Sequence, residues 1–208
     1  RSPSRGLGDV YKRQIGYIRI ASFKENTVEQ FQNALNQLLK QGAKGLVFDV
    51  REDGGGLVAA LEKIVDPLLP AGDIATATYQ DGTTKVLVHS DANELNLPMM
   101  VLVNGNTASA AELFTASLKD FGKAEVIGEQ TFGKGIMQNT FELPDGGAVT
   151  LTVATYQTTK GECYHGVGIT PDVIMEEDYE KVDFDHPNPE QDAQLKQAME
   201  LLQSKISS

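Results

Sequence analysis

Five consecutive apolar residues, Met99-Met100-Val101-Leu102-Val103, run through the polar turn Asn104-Gly105-Asn106-Thr107-Ala108 into a helix that begins near Ser109. After the turn, Ala110, Ala111, Leu113, Phe114, Ala116 and Leu118 recur with a helical rather than a strand period. A strand that turns directly into a helix exposes its turn residues at the edge of a sheet. The helix N-terminus there offers unpaired N–H groups and the positive end of the helix dipole. A serine in that place can be a nucleophile beside an oxyanion site. It can equally be an ordinary N-cap, the commoner fate of a serine at a helix start.

The same alternation runs through the first half of the chain. A strand Ile15–Ile20 precedes a helix predicted over 28–41, with Thr27 as N-cap, Gln30 completing a capping box and Gly42 as the stop. Val28, Phe31, Ala34, Leu35, Leu38 and Leu39 give that helix one apolar face. The run Gly45–Val50 is short and apolar enough to be a strand buried on both faces. A helix over 57–69 follows, its end blurred by Pro67. Strand, helix, strand, helix with short links predicts an α/β domain with a mainly parallel sheet. Two hairpins are added to it, one around Asp81-Gly82 and one around Pro144-Asp145-Gly146-Gly147, and a further strand spans 124–127. Residues 176–190 read as an acidic loop and 191–206 as a closing helix.

Bulk properties narrow the function. With 29 acidic against 18 basic residues and a net charge of -11, the chain lacks the concentrated Lys and Arg of a nucleic-acid or anionic-membrane binder. Its apolar runs fall well short of a membrane span. One cysteine, Cys163, cannot form an internal disulfide, and its setting is not that of a nucleophile. No cluster of His, Cys and Asp has metal-ligand spacing, so neither a metal nor an organic cofactor is expected. Residues 1–14 are basic and rich in Ser, Pro and Gly in an otherwise acidic chain. They are set aside as a non-native, linker-like segment, which places the natural N-terminus outside this chain. The predicted organisation is a catalytic domain over 15–175, followed by the acidic loop and C-terminal helix over 176–208.

Four segments recur in a telling order: Arg51-Glu52-Asp53-Gly54-Gly55-Gly56-Leu57 after the second strand, the Ser109 turn, Gly128-Glu129-Gln130-Thr131-Phe132-Gly133-Lys134-Gly135-Ile136-Met137-Gln138, and Gly166-Val167-Gly168-Ile169-Thr170-Pro171-Asp172-Val173. Together they resemble the catalytic domain of the C-terminal processing peptidases, the tail-specific serine proteases that use a Ser/Lys dyad. The resemblance covers about 15–173 and implies a ClpP/crotonase-like architecture. It implies Ser109 as nucleophile, Lys134 as general base and Gln138 as the amide that orients the lysine. It implies oxyanion donors at Ala110 and at Gly55 or Gly56, and an acidic supporting position at Glu112, which is equally a first-turn carboxylate favoured by the helix dipole.

The chemistry agrees with those residue types. A serine hydroxyl is a weak nucleophile until a base takes its proton. Lysine fills that role where burial among apolar groups disfavours its ammonium form. Phe132, Ile136 and Met137 would supply such surroundings, whereas an exposed lysine in a glycine turn would be inert. Of the three histidines, His89 and His186 have no motif-like setting, and only His165, before Gly166, is kept as a reserve base.

The resemblance further implies protein or peptide substrates with accessible C-termini and an extracytoplasmic, cell-envelope location in a bacterium. It also implies a PDZ domain upstream, of which this chain carries no part. The sequence leaves the oligomeric state open. Where the family has Asn-Pro-Gly-Gly, this chain has Asp53-Gly54-Gly55-Gly56, a more flexible turn. Two readings from other classes stand beside the peptidase: a crotonase-type enzyme acting on an acyl thioester, and a non-catalytic peptide- or ligand-binding module on the same scaffold.

Overall fold

The parallel strands carry apolar side chains on both faces because both faces are covered. The computed structural model describes residues 14–91 and 94–207, and the backbone of 7–11. Its first sheet has six strands in the order β1-β2-β3-β6-β7-β10. These are β1 (Leu7–Tyr11), β2 (Ile15–Arg19), β3 (Gly45–Asp49), β6 (Met99–Val103), β7 (Ala124–Gly128) and β10 (Val173–Ile174). All pair in parallel except β1, which runs antiparallel to β2. Leu46, Phe48, Val101 and Val103 point to one side, where α1 (Glu25–Lys40), α2 (Val58–Val65) and α3 (Ala110–Asp120) cover them. Val47, Met100 and Leu102 point to the other, against Leu195, Ala198 and Leu202 of α4 (Ala193–Ser207). Each fully buried Leu, Val, Ile or Phe side chain contributes roughly 1.5–3 kcal/mol.

The second sheet is antiparallel, in the order β5-β4-β9-β8. It consists of the two predicted hairpins, β4 (Gly72–Tyr79) with β5 (Thr84–Ser90) and β8 (Ile136–Glu142) with β9 (Ala148–Thr158). β4 pairs with β9 and joins them. The inner half of β9 alternates Ala154, Tyr156 and Thr158 inward, which carries a tyrosine hydroxyl toward Ser109.

The structure departs from the sequence reading in several places. Helix α1 starts at Glu25 with Lys24 as its cap, so Thr27 is the third residue of the first turn and not the N-cap. The Thr27 hydroxyl donates to the Ser22 carbonyl at 2.9 Å and accepts the Lys24 N–H at 3.2 Å, which lets the helix begin three residues early. Helix α2 stops at Val65, and Asp66–Leu68 form a single 3-10 turn because Pro67 has no N–H to continue the ladder. Leu7–Tyr11, within the segment set aside as linker-like, forms the edge strand β1; residues 1–6, 12 and 13 lie outside the described residues.

One buried polar network fixes the C-terminal helix. Arg51, fully buried at the end of β3, is bonded to Asp49 through Nε and Nη2 at 2.9 and 2.6 Å. It also reaches Asp192 Oδ2 at 2.6 Å and Gln194 Oε1 at 3.1 Å, at the start of α4. Tyr17 donates its hydroxyl to Asp49 Oδ2 at 2.8 Å, and the Phe184 ring lies over the guanidinium, 5.2 Å from it. An arginine can be buried here because carboxylates meet it on two sides.

Candidate active site

Ser109 stands between the end of β6 and the start of α3, at the carboxyl edge of the parallel strands, where open α/β sheets bind ligands. Its backbone has φ 58° and ψ -120°. Ser109 forms a capping box with Glu112, but an N-cap residue ordinarily has an extended backbone, so capping alone does not account for this conformation. It costs on the order of 1–3 kcal/mol and has to be held by its surroundings. The holding contacts are visible. Asp53 C=O accepts the Ala108 N–H at 2.9 Å, the Thr107 hydroxyl donates to Val50 C=O at 2.9 Å, and Phe132 N–H donates to Thr107 C=O at 3.0 Å. The turns after β3, β6 and β7 are thereby stitched into one.

Glu112, wholly buried on the first turn of α3, is the hub of that assembly. Its Oε2 accepts the backbone N–H of Ser109 at 2.9 Å and of Lys134 at 2.7 Å. Its Oε1 accepts the Gly133 N–H and the Thr131 hydroxyl, both at 2.6 Å. Four donors converge on one carboxylate, and they come from the serine turn and the lysine turn.

A second bridge joins the same two turns. Tyr156 donates its hydroxyl to Lys134 C=O at 2.9 Å and stands 3.4 Å from Ser109 Oγ. With its own proton committed to the carbonyl, the phenol oxygen is left to accept from the serine. Burial pushes the Tyr156 phenol up, so it remains neutral. His165 closes the back of the lysine turn: its Nδ1 lies 3.2 Å from Gly133 C=O, so that nitrogen carries the proton and donates. Gly133 itself has φ 90°, and a Cβ on it would meet the Gly168 nitrogen at 2.9 Å.

The oxyanion candidates separate. Gly55 donates its N–H to Asp53 Oδ1 at 2.7 Å, whereas the N–H groups of Gly56 and Ala110 have no hydrogen-bond partner among the described residues. Gly56 has φ 148°, and a Cβ there would lie 2.1 Å from Phe23 C=O; only glycine fits. Burial pushes the Asp53 carboxyl up to about 7, against the opposing pulls of the Gly55 N–H and the Arg19 charge.

Lys134 is half-buried, and its Nζ forms no hydrogen bond or ion pair among the described residues. Gln138 is exposed on β8, next to a bulge at Met137/Gln138, and no hydrogen bond joins its amide to Lys134 or Ser109 among the described residues. The structure therefore brings together the turns of Ser109, Lys134, Glu112, Ala110, Gly55 and Gly56, with no hydrogen bond from Gln138 to any of them among the described residues. Asp53 and Tyr156 were not singled out as site residues by their sequence setting. Tyr156 lies on an alternating strand like any other, and only its register with β4 and β8 reveals it. His89 and His186 pair with Asp73 and Asp183 on the surface.

Among the described residues no group of three or more His, Cys, Asp or Glu side chains is arranged to hold a metal. A cleft of about 590 Å³ lies at the other end of β6 and β7, lined in part by Lys119, Lys123, Asp172 and Lys205. Its lysines are spent on Asp172, Glu94 and Glu125, and it contains none of the residues above.

Comparison with known proteins gives the family. Residues 14–175 match the model of peptidase family S41. The chain belongs to that family. It is 40% identical over 167 residues to a chloroplastic C-terminal processing peptidase of Tetradesmus obliquus, covering 79% of this chain and 36% of that protein. It is 36% identical over 190 residues to a carboxyl-terminal-processing protease of Synechocystis, covering 91% of this chain and 44% of the relative. Among solved structures, the photosystem II D1 C-terminal processing protease superposes with a TM-score of 0.75 at 37% identity, over 85% of this chain and 45% of the other. The family chain thus has the ClpP/crotonase-like α/β fold, its parallel sheet accompanied by an antiparallel one. It spans less than half the length of these relatives. No helix among the described residues is long and apolar enough to cross a membrane.

Proposed function

We propose that this chain is the catalytic domain of a serine endopeptidase that cleaves protein substrates near their C-termini through a Ser109/Lys134 dyad. The observation that carries the reading is the Glu112 carboxylate, which takes N–H groups from Ser109 and from Lys134 and so sets the strained serine turn against the lysine turn. In this scheme Ser109 Oγ attacks the peptide carbonyl while its proton passes to Lys134 Nζ. The tetrahedral oxyanion is met by the N–H groups of Ala110 and Gly56, which are otherwise unused. Lys134 returns the proton to the departing amine, leaving an acyl-enzyme on Ser109. Water, deprotonated by the same lysine, then hydrolyses the ester.

Ser109 Oγ rests near the neutral Tyr156 phenol and is not in hydrogen-bond contact with Lys134 Nζ. The catalytic step requires the lysine side chain to swing onto the serine, which its unpaired amine leaves it free to do. Gln138, four residues beyond Lys134, would orient the amine in that arrangement. Substrates with free tails, an upstream PDZ domain that delivers them and a location outside the bacterial cytoplasm complete the proposal. The names of the matched relatives support its tail-processing part.

The test is digestion of an unstructured protein carrying a flexible C-terminal tail, followed by intact-mass measurement. Loss of a short C-terminal fragment with the native chain, and none with Ser109→Ala, is expected. Equal cleavage by Ser109→Ala would refute the assignment.

A further inference from the structure

Asp53 opens the glycine turn beside Ser109 and is wholly buried, yet only half of its carboxyl group is bonded. Oδ1 accepts the Gly55 N–H at 2.7 Å, while Oδ2 has no hydrogen-bond partner. Its backbone is anchored on both sides, donating to Val50 C=O at 3.2 Å and accepting from Ala108 N–H at 2.9 Å. Gly55 is pressed so closely on the serine turn that a Cβ would lie 2.8 Å from Ser109 Cβ and 2.8 Å from the Ala110 nitrogen. The Gly55 peptide cannot turn without moving the wall on which the two free donors, Gly56 and Ala110, are mounted.

Building on the serine-peptidase reading, we propose that Asp53 is the positioning residue of the oxyanion turn and that its charge tunes the turn. The carboxyl holds the Gly55 N–H, which leaves the adjacent Gly56 N–H free to meet the reacting carbonyl. The ionised form also places a buried negative charge next to the developing oxyanion, which opposes it in a site of low dielectric. The neutral acid retains a carbonyl oxygen for Gly55 and removes that opposition.

The surrounding charges do not cancel the effect. Arg51, at the end of β3, is shared between Asp49 and Asp192, and Glu52 is turned onto the side-chain amides of Asn104 and Asn106. Glu112 on α3 is occupied by its four donors. Arg19, at the end of β2, favours the carboxylate from a distance, without a hydrogen bond to it. Burial outweighs Arg19 and holds the group near neutrality, where it changes charge across the physiological range.

Asp53→Asn keeps an acceptor for Gly55 and removes the charge; Asp53→Ala removes both. Two measurements on the whole chain decide the matter. In amide NMR across neutral pH, the Gly55 resonance should titrate in the native chain and stay flat in Asp53→Asn. In labelling by a fluorophosphonate serine probe, Asp53→Asn should overtake the native chain as pH rises, by up to about tenfold. Asp53→Ala should label slowly at every pH, and Asn should rescue it. A Gly55 amide that ignores pH, or an Asp53→Asn labelling profile that superimposes on the native one, overturns the proposal. Failure of the native chain to label at any pH counts instead against the serine-peptidase reading, and the Gly55 titration still decides what Asp53 holds.

Discussion

The Glu112 carboxylate accepts the Lys134 backbone N–H at 2.7 Å, joining two residues that lie 22 positions apart in the chain. With the Ser109 N–H on the same oxygen, the spacing between nucleophile and base turns is set by one side chain. Glu112→Ala would strand four donors, each costing roughly 1–3 kcal/mol when buried without a partner. Thermal denaturation should show a large fall in stability. Glu112→Gln preserves shape but loses the charge-assisted bonds and turns an NH2 toward backbone donors. It should keep the circular dichroism of the native fold while labelling of Ser109 falls about tenfold or more.

Gly55 and Gly56 should fail differently on conversion to alanine. At Gly56 the new methyl would collide with the Phe23 carbonyl at 2.1 Å, a backbone atom that cannot step aside. At Gly55 it would strike the serine turn itself, 2.8 Å from Ser109 Cβ. Gly56→Ala should destabilise the whole domain in urea unfolding. Gly55→Ala should lose serine labelling disproportionately to its loss of stability.

The pH dependence of stability follows from Asp53. The folded value, about 7, lies above that of a carboxyl in the unfolded chain, so the native state binds this proton more tightly. Its contribution is therefore complete below the unfolded value, roughly pH 4, and is lost as pH rises through the folded value. Urea unfolding of the native chain should weaken from mildly acid to mildly alkaline pH. Asp53→Asn should be flatter over that window and should gain on the native chain at its alkaline end.

Arg51 ties α4 to the sheet through Asp49 and Asp192. Arg51→Ala leaves two buried carboxylates facing one another without a cation, a change that costs roughly 3–5 kcal/mol. Limited proteolysis should then cut preferentially in the acidic segment before α4, which the native chain protects at Asp192 and Gln194.

The parallel sheet was legible because Gly45–Val50 and Met99–Val103 are continuous apolar runs, each leading into a turn and then a helix. The hairpins were legible from Asp81-Gly82 and Asp145-Gly146, whose glycines take φ 83° and 85°. Helix ends were less so, since the Thr27 hydroxyl serves a helix that starts before it as readily as one that starts after it. The strand Val173–Ile174, only two residues long, has no periodicity to read. Within the site, Ser109, Lys134 and Glu112 stood in glycine-bounded or helix-start settings that mark turns. The Asp53–Gly55 bond and the Tyr156 bridge depend on side chains meeting across the fold, and a one-dimensional pattern does not contain them.

The central claim is that Ser109 is a nucleophile activated by Lys134. It is tested most directly by labelling the purified chain with a fluorophosphonate probe alongside Ser109→Ala and Lys134→Ala, with the modified peptide identified by mass spectrometry. The account predicts a single adduct on Ser109 that is lost in both variants while each retains the native circular dichroism. Labelling that survives Ser109→Ala, or proceeds undiminished in Lys134→Ala, would contradict it.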